Sequence, residues 1–254
     1  MTFLKLAFFS LFILPLYILA FSQTKNLKVP DYTGERMEYN LKAGAFNVGK
    51  LDIEFRDDTM NCPAYIICNA RSSGMVTIVK DVHYMFDACM DTANGHAIKS
   101  SRRIREGNHT DYDLVNYNRI ARKDSVLAIL KTKDTLVIAK DAYDILVAFF
   151  QFRKNYINPE LVENSFIHLN TFFVDTTWGL NIRYGGKEVV KTTYGTVTCY
   201  KFFPQTMVSR YFKTTNDMTI WVTANKSLIP VKFEARMKIA TFTAELEKYV
   251  LPKK

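Results

Sequence analysis

The segment VKFEARMKIATFTAEL at residues 231–246 decides the fold class, because its first half alternates strictly between apolar and polar side chains. The apolar set there is Val231, Phe233, Ala235, Met237 and Ile239. A period of two residues is typical of an antiparallel strand with one face in the core and the other in water.

The alternation changes phase within this segment, since the next apolar set is Phe242, Ala244 and Leu246. A change of phase in a pattern of period two requires a turn or a bulge, which we place near Ala240–Thr241. The same change occurs around Gly49, which we interpret as a bulge or bend in one long strand.

Short alternating segments separated by Gly and Asn recur along the chain, and residues 178–184 are a clear example. Gly185–Gly186 then predicts a two-residue hairpin turn, because both positions can adopt positive φ. Tyr194–Gly195 predicts a second turn. The whole pattern predicts a mainly β fold, a single antiparallel sheet that is strongly curved or forms a partly open barrel.

One segment, at about residues 141–156, predicts an amphipathic helix instead. Its apolar positions follow the period of 3.6 residues and are Ile145, Leu146, Phe149, Phe150 and Phe152. Asp141 is the predicted N-cap, and Arg153 and Lys154 fall in the predicted last turn. These apolar side chains either fill the curved sheet or border a cavity, and core packing is favoured.

Residues 1–22 have the features of a secretory signal peptide. A 16-residue apolar run ends at Phe21, and Ala20 and Ser22 place small residues before a predicted cleavage ahead of Gln23. The alternative is an uncleaved N-terminal anchor, which the shortness of the run disfavours. We expect residues 23–254 to form one β domain without a transmembrane segment.

Composition and charge narrow the choice of function. The contents of 48% hydrophobic and 23% charged residues are typical of a folded globular protein. Without the leader, 33 basic and 25 acidic residues leave a net charge of +8, which favours anionic partners, while export argues against nucleic acid. The densest basic cluster contains Lys99, Arg102, Arg103 and Arg105. We interpret it as a solvated strand face, with Arg103 and Arg105 on one side and Arg102 on the other.

Four cysteines, Cys62, Cys68, Cys89 and Cys199, allow three complete pairings in an exported chain. Cys62 and Cys68 lie in one predicted strand, ~20 Å apart, whereas a disulfide spans at most ~7 Å. A turn near residues 72–74 would place Cys62 opposite Met85 rather than Cys89. No pair is forced, so mostly free, buried thiols are expected.

The sequence contains no catalytic or metal-binding motif that we can identify. The histidines at 83, 96, 109 and 168 lack zinc-ligand spacing, and neither a nucleophile elbow nor a phosphate-binding loop occurs. We therefore expect that the protein is not an enzyme and that it binds no metal and no cofactor. An exported hydrolase would need a cavity that joins His83 or His168 to carboxylates or a thiol.

Several motifs, taken in order, resemble an exported bacterial family known as domain of unknown function 3108. They are Gly34–Tyr39, Phe46–Gly49, Arg102–Gly107, the helical segment Asp144–Phe150 followed by Arg153, Gly186–Glu188, Ile220–Thr223 and Ile229–Val231. The resemblance implies a mainly β protein in the periplasm or at the inner face of an outer membrane. It implies no activity.

The aromatic-rich sheet, the apolar helix, the positive charge and export together favour a non-catalytic envelope protein. We expect it to bind or carry an apolar or amphiphilic molecule such as a lipid, with Phe149, Phe150 and Trp221 as candidate ligand-binding residues. The alternative is a structural or interaction scaffold that binds an envelope protein or glycan through its surface. That alternative predicts a filled interior and an exposed apolar or basic patch.

Overall fold

The computed structural model describes residues 27–57, 62–74, 77, 81–131, 134–173, 175–205 and 214–253. The predicted signal peptide at residues 1–22 lies outside the described residues. Within these ranges, no helix is both long enough and apolar enough to cross a membrane.

Strands account for most of the described chain, as the alternating sequence predicted. The first eight are β1 (Glu35–Ala43), β2 (Phe46–Arg56), β3 (Ala64–Ser72), β4 (Val82–Met90), β5 (Ala97–Glu106), β6 (His109–Asn118), β7 (Ser125–Leu130) and β8 (Leu136–Ala139). The remaining seven are β9 (Tyr143–Asp144), β10 (Phe166–Phe173), β11 (Thr176–Thr192), β12 (Gly195–Pro204), β13 (Met218–Thr223), β14 (Pro230–Arg236) and β15 (Thr241–Val250).

All these strands belong to one sheet that is not closed into a barrel. Its order is β8-β7-β6-β5-β4-β3-β2-β1-β15-β14-β13-β12-β11-β10-β9. Neighbouring strands are antiparallel except β9 and β10, which run parallel, so the sheet is mixed at that edge rather than wholly antiparallel as predicted.

The sheet curls strongly enough for distant strands to face each other. Phe86 on β4 lies 5.8 Å from Phe173 on β10, and Tyr117 on β6 lies 6.0 Å from Phe172, measured between ring centroids. Because β10 is far from β4 and β6 in the strand order, these contacts require a deeply concave inner face.

Two predicted irregularities are confirmed. Leu41 pairs with Gly49 and Lys42 with Asn47, so Val48 is the extra residue of a bulge beside Gly49. The change of phase near residue 240 is a turn, in which Met237 N–H donates to the Ala240 carbonyl (3.0 Å).

The predicted extent of the strand before this turn was wrong. β14 ends at Arg236, and Ile239 is 83% exposed rather than part of the core. The tight turn takes up residues 237–240, so these side chains leave the inner face.

The predicted hairpin turn at Gly185–Gly186 was also wrong. These residues lie within β11, opposite Lys201 alone, because Tyr184 pairs with Phe202 and Lys187 pairs with Tyr200. They form a bulge, since β12 continues on both sides of them, and Gly186 supplies a φ of +82°. The turn of this hairpin lies between Thr192 and Gly195, as the Tyr194–Gly195 signal predicted.

The helical segment is shorter than predicted and changes type within its length. Helix α1 (Ile145–Gln151) continues into a π-helical segment (Phe152–Tyr156). The N-cap is Asp144, not Asp141, since the Asp144 carboxylate accepts from the Leu146 N–H (2.9 Å). Asp141 precedes β9, a short strand that the helical pattern did not reveal.

Helix α1 and the π-helical segment pack on the concave face and fill part of it. Phe150 is completely buried, with its ring 5.0 Å from Phe55 and 5.5 Å from Tyr32. Phe152 lies 4.9 Å from Phe202 on the opposite wall. Core packing, the favoured prediction for these side chains, is therefore observed at Phe150 and Phe152.

The prediction of free cysteines was wrong for one pair, because Cys62 and Cys89 form a disulfide with their Cα atoms 5.5 Å apart. Cys62 precedes β3 rather than lying within it, and Tyr65 pairs with Cys89. The turn assumed at residues 72–74 is too early, since β4 begins only at Val82 and the register shifts accordingly. Cys68 and Cys199 are free thiols, as predicted.

Candidate functional site

An apolar groove of about 360 Å³ opens on the concave face. Its walls come from β1 to β4 on one side and from β13 to β15 on the other. The lining side chains are predominantly apolar and include Leu41, Val82, Tyr84, Met218, Phe233 and Phe242. A concavity of this size and character falls at the lower end of the range for small-molecule sites, ~300–1,000 Å³.

The strand register explains why apolar side chains converge here. Leu41 on β1 pairs with Ala244 on β15, and Ala244 pairs with Phe233 on β14, which forms one continuous inner row. The next row adds Ala235 opposite Phe242. Small alanine side chains between larger ones leave the space that the groove occupies.

Strand alternation turns the charged side chains of these strands away from the groove. Lys42 follows Leu41 and Arg71 pairs with His83, so both side chains project to the opposite face, where Lys42 Nζ lies 2.5 Å from Glu245 Oε2. The lining of the groove is therefore almost wholly apolar, which fits an apolar molecule or the apolar tail of an amphiphile.

The three predicted ligand-binding residues do not meet at one site. Phe149 is half-buried, and its ring centroid lies 6.1 Å from that of Phe233, so it supports the wall of the groove. Phe150 lies within the core. Trp221 faces away from its neighbours Ile220 and Val222 on β13, and its ring lies near the ammonium groups of Lys201 (5.6 Å) and Lys232 (4.9 Å).

A buried ion pair, which the sequence did not reveal, fixes the helical segment beside the groove. Arg153 donates to Glu35 through Nη1 (2.6 Å) and Nη2 (2.8 Å), and both side chains are 0% exposed. Arg153 Nε also donates to the Leu228 carbonyl (3.0 Å), and the Tyr249 hydroxyl donates to Glu35 (2.8 Å). Burial opposes the cation, but the hydrogen bonds and charge of Glu35 outweigh it and raise the pKa of Arg153. Helical spacing places Arg153 in a predicted last turn, and only the tertiary fold brings it to Glu35.

A second buried carboxyl group, Asp144, lies at the start of α1. Burial raises its pKa to about 6, although the Leu146 N–H and the Tyr117 hydroxyl stabilise the anion. The adjoining cavity measures about 20 Å³, which is room for one water molecule and for no larger substrate.

The histidines that could have suggested hydrolysis have amide partners. His83 Nε2 lies 2.6 Å from the Asn69 side-chain oxygen, and His168 Nδ1 lies 2.5 Å from that of Asn181. Burial lowers the pKa of His96 to about 4. Among the residues that the structure describes, no group of three or more His, Cys, Asp or Glu side chains could hold a metal ion.

Comparison with known proteins gives a family and a fold. Residues 37–247 match the model of the family described as "Protein of unknown function (DUF3108)". Among curated proteins, none matches the sequence significantly.

One solved structure shows a related architecture. The fold is similar to that of a beta-barrel-like protein of domain of unknown function DUF1849 from Brucella abortus. The TM-score is 0.60 at 10% identity, over 88% of this chain and 100% of the other. A DUF1089 family protein from Pseudomonas aeruginosa also matches, with a TM-score of 0.41 at 6% identity, over 74% of this chain and 89% of the other.

Proposed function

Because the chain belongs to the DUF3108 family, which carries no assigned activity, we propose its function from the groove: the protein binds an apolar or amphiphilic molecule on its concave face. It acts as an exported, non-catalytic envelope protein. The single observation that carries this proposal is the apolar groove between β1–β4 and β13–β15.

The dimensions of the groove favour one apolar chain over several. Its volume of about 360 Å³ is small for a lipid with several acyl chains. Burial of one chain against Leu41, Phe233 and Phe242 is favourable by about 25 cal/mol per Å² of apolar surface. The polar head of an amphiphile then projects from the open side of the groove into solvent.

Two features support the exported location within this proposal. Residues 1–22 have the sequence features of a secretory signal peptide, and we predict that they direct export. The Cys62–Cys89 disulfide is typical of proteins in oxidising compartments such as the periplasm.

The alternative function, a scaffold that binds a protein or glycan through its surface, has its own support. Helix α1 and the π-helical segment fill the part of the interior around Phe150, as a scaffold requires. The groove beside Phe233 is the part of the concave face that this packing leaves open, and it favours ligand binding.

The test is binding of a fluorescent single-chain fatty acid to the protein purified with its disulfide intact. We expect a saturable signal near one-to-one stoichiometry, and loss of that signal in Ala235→Phe, which fills the groove. Ala139→Phe, on the exposed side of β8, is the matched control and keeps full binding. Absence of binding to the unaltered protein, or equal binding by both variants, would contradict the proposal and favour the scaffold.

A further inference from the structure

The convex face of the sheet carries a cleft that is separate from the apolar groove. Two adjoining concavities of about 450 Å³ and 480 Å³ lie over β4, β5 and β6, and Arg103 and Tyr112 line both. The groove uses Val82 and Tyr84 of β4, whereas this cleft uses His83 and Met85, which point to the opposite face.

Basic side chains follow the length of the cleft. Lys99, Arg103 and Arg105 all project to the convex face of β5, and Arg56 joins them from β2. Alternate residues of a strand are ~7 Å apart, so the positions from Lys99 to Arg105 span ~20 Å. The result is an elongated row of positive charge rather than a compact pocket.

Carboxylates beneath and beside the row hold two of its arginines in place. Arg103 Nη1 lies 3.3 Å from Asp87, which is buried and also accepts from the Ser101 hydroxyl. Arg105 Nη2 lies 2.9 Å from Asp81. Both guanidinium side chains are nonetheless about half exposed, at 52% and 50%, so donors remain available to a ligand.

The aromatic rings of the cleft are occupied by cations on their faces. The Arg103 guanidinium lies 5.3 Å and the Lys131 ammonium 5.0 Å from the centre of the Tyr112 ring. Arg56 lies 5.4 Å from the centre of the Tyr65 ring. Nucleic-acid binding clefts instead offer open ring faces on which bases stack.

Uncharged hydrogen-bonding groups lie beside the charges, on the neighbouring strand. Asn116 on β6 pairs with Lys99 on β5, Thr110 pairs with Arg105, and both polar residues are exposed. A cleft that places cationic and neutral polar groups side by side fits a polymer whose units carry both anionic groups and hydroxyl groups. A flat membrane surface fits poorly, because the basic side chains line concavities rather than a raised plane.

We propose that this cleft binds a linear anionic polysaccharide, a chain of sugars that carry carboxylate or sulfate groups. Arg56, Lys99, Arg103 and Arg105 pair with successive anionic groups, while Asn116 and Thr110 bond hydroxyl groups. The site lies on the face opposite the groove, so it acts independently of the apolar ligand proposed above.

The experiment is isothermal titration of the full chain, disulfide intact, with alginate oligosaccharides at low and moderate salt. We expect binding that weakens as salt rises, because the contacts are largely electrostatic. Neutral dextran oligosaccharides of equal length should not bind.

Lys99→Gln/Arg103→Gln removes two charges from the cleft, and we expect about tenfold weaker binding from it. The control Lys154→Gln/Lys226→Gln removes two charges from exposed positions elsewhere and should bind as the unaltered protein does. Arg103 also contacts buried Asp87, so Lys99→Gln/Arg105→Gln, which leaves that contact in place, provides a second test.

Three outcomes would overturn the proposal. They are no binding of alginate at low salt, equal weakening by the control variant, and tighter binding of a single-stranded oligonucleotide or of anionic phospholipid vesicles than of alginate. Any one of them removes the polysaccharide assignment and leaves the apolar groove unaffected.

Discussion

The Arg153 guanidinium and the Glu35 carboxylate meet in two parallel hydrogen bonds across 118 residues of sequence, and neither side chain reaches solvent. The pair joins the helical segment to the first strand of the sheet. It therefore sets the position of Phe149 and, through it, of the groove wall.

Removing one partner of this ion pair should lower the stability of the folded protein. We expect Arg153→Met to lower the free energy of unfolding by about 3–5 kcal/mol, because Glu35 is then buried without its cation. Urea denaturation measures the change. The double variant Glu35→Leu/Arg153→Met should recover much of the loss, and a double variant as unstable as the single one would show that the cost arises from packing instead.

Variants of the adjacent residues Phe149 and Phe150 should separate an effect on stability from an effect on fatty-acid binding. Phe150→Ala should cost about 3–5 kcal/mol of stability, since its ring is completely buried. Phe149→Ala should cost about 1–2 kcal/mol, since the ring is half-buried, but should weaken fatty-acid binding severalfold because Phe233 loses its support. Thermal unfolding and probe titration of both variants test this, and stronger impairment of binding in a still-folded Phe150→Ala would contradict it.

The disulfide should account for a measurable part of the stability. Cys62 and Cys89 enclose a loop with a sequence separation of 27 residues. We expect Cys62→Ser/Cys89→Ser to lower the free energy of unfolding by about 3–4 kcal/mol, from loop entropy. Thiol titration in denaturant should find two free thiols in the unaltered protein, and Cys68→Ala is the control that leaves the disulfide intact.

Asp144 should make stability fall as pH rises from about 4 to about 6. Its pKa is raised from 3.8 to about 6 in the folded state, so the folded protein binds the extra proton in this window. The protonated form favours folding, and about 3 kcal/mol of that stabilisation is lost above pH 6. Asp144→Asn keeps an N-cap residue and should remove this dependence.

His96 titrates in an overlapping window with the opposite sign. Its pKa is lowered from 6.5 to about 4, so the unfolded chain binds the proton first and stability falls as pH drops through this range. The difference between Asp144→Asn and the unaltered protein, measured by urea denaturation at each pH, isolates the carboxyl group.

Local patterns predicted the strands well, because alternation is a property of neighbouring residues. In the sequence, Phe233 and Ala235 predict the inner face of β14, and Phe242 predicts that of β15. The prediction of a hairpin turn at Gly185–Gly186 was wrong because a glycine pair suits a bulge as well as a turn, and the choice depends on how far β12 extends. The Cys62–Cys89 disulfide was missed because the register of β3 and β4 depends on the length of their connection, which composition does not reveal.

The candidate site was less accessible to sequence analysis than the fold. Phe149 was found through its helical spacing, but the walls of the groove come from strands that are distant along the chain. Glu35 and Arg153 lack any local signal of their pairing. The basic residues of β5 were visible in the sequence, whereas the cleft that they line depends on Tyr65 and Tyr112 from neighbouring strands.

The strand order also has a consequence for how the chain folds. Almost every hydrogen-bonded neighbour in the sheet is consecutive in sequence, except β1 and β15, the first and last strands of the described chain. Contacts across this junction link residues as far apart as Glu35 and Tyr249, a separation of 214 residues.

Two meanders, β1–β8 and β10–β15, can thus grow from local pairings, whereas the junction must close the longest loop in the described chain. Closing a long loop costs entropy before its contacts form, so we expect this junction to be completed late and to limit the folding rate. The groove lies across the same junction, between Leu41 and Ala244, and the nascent chain therefore acquires its binding surface only in the final step of folding.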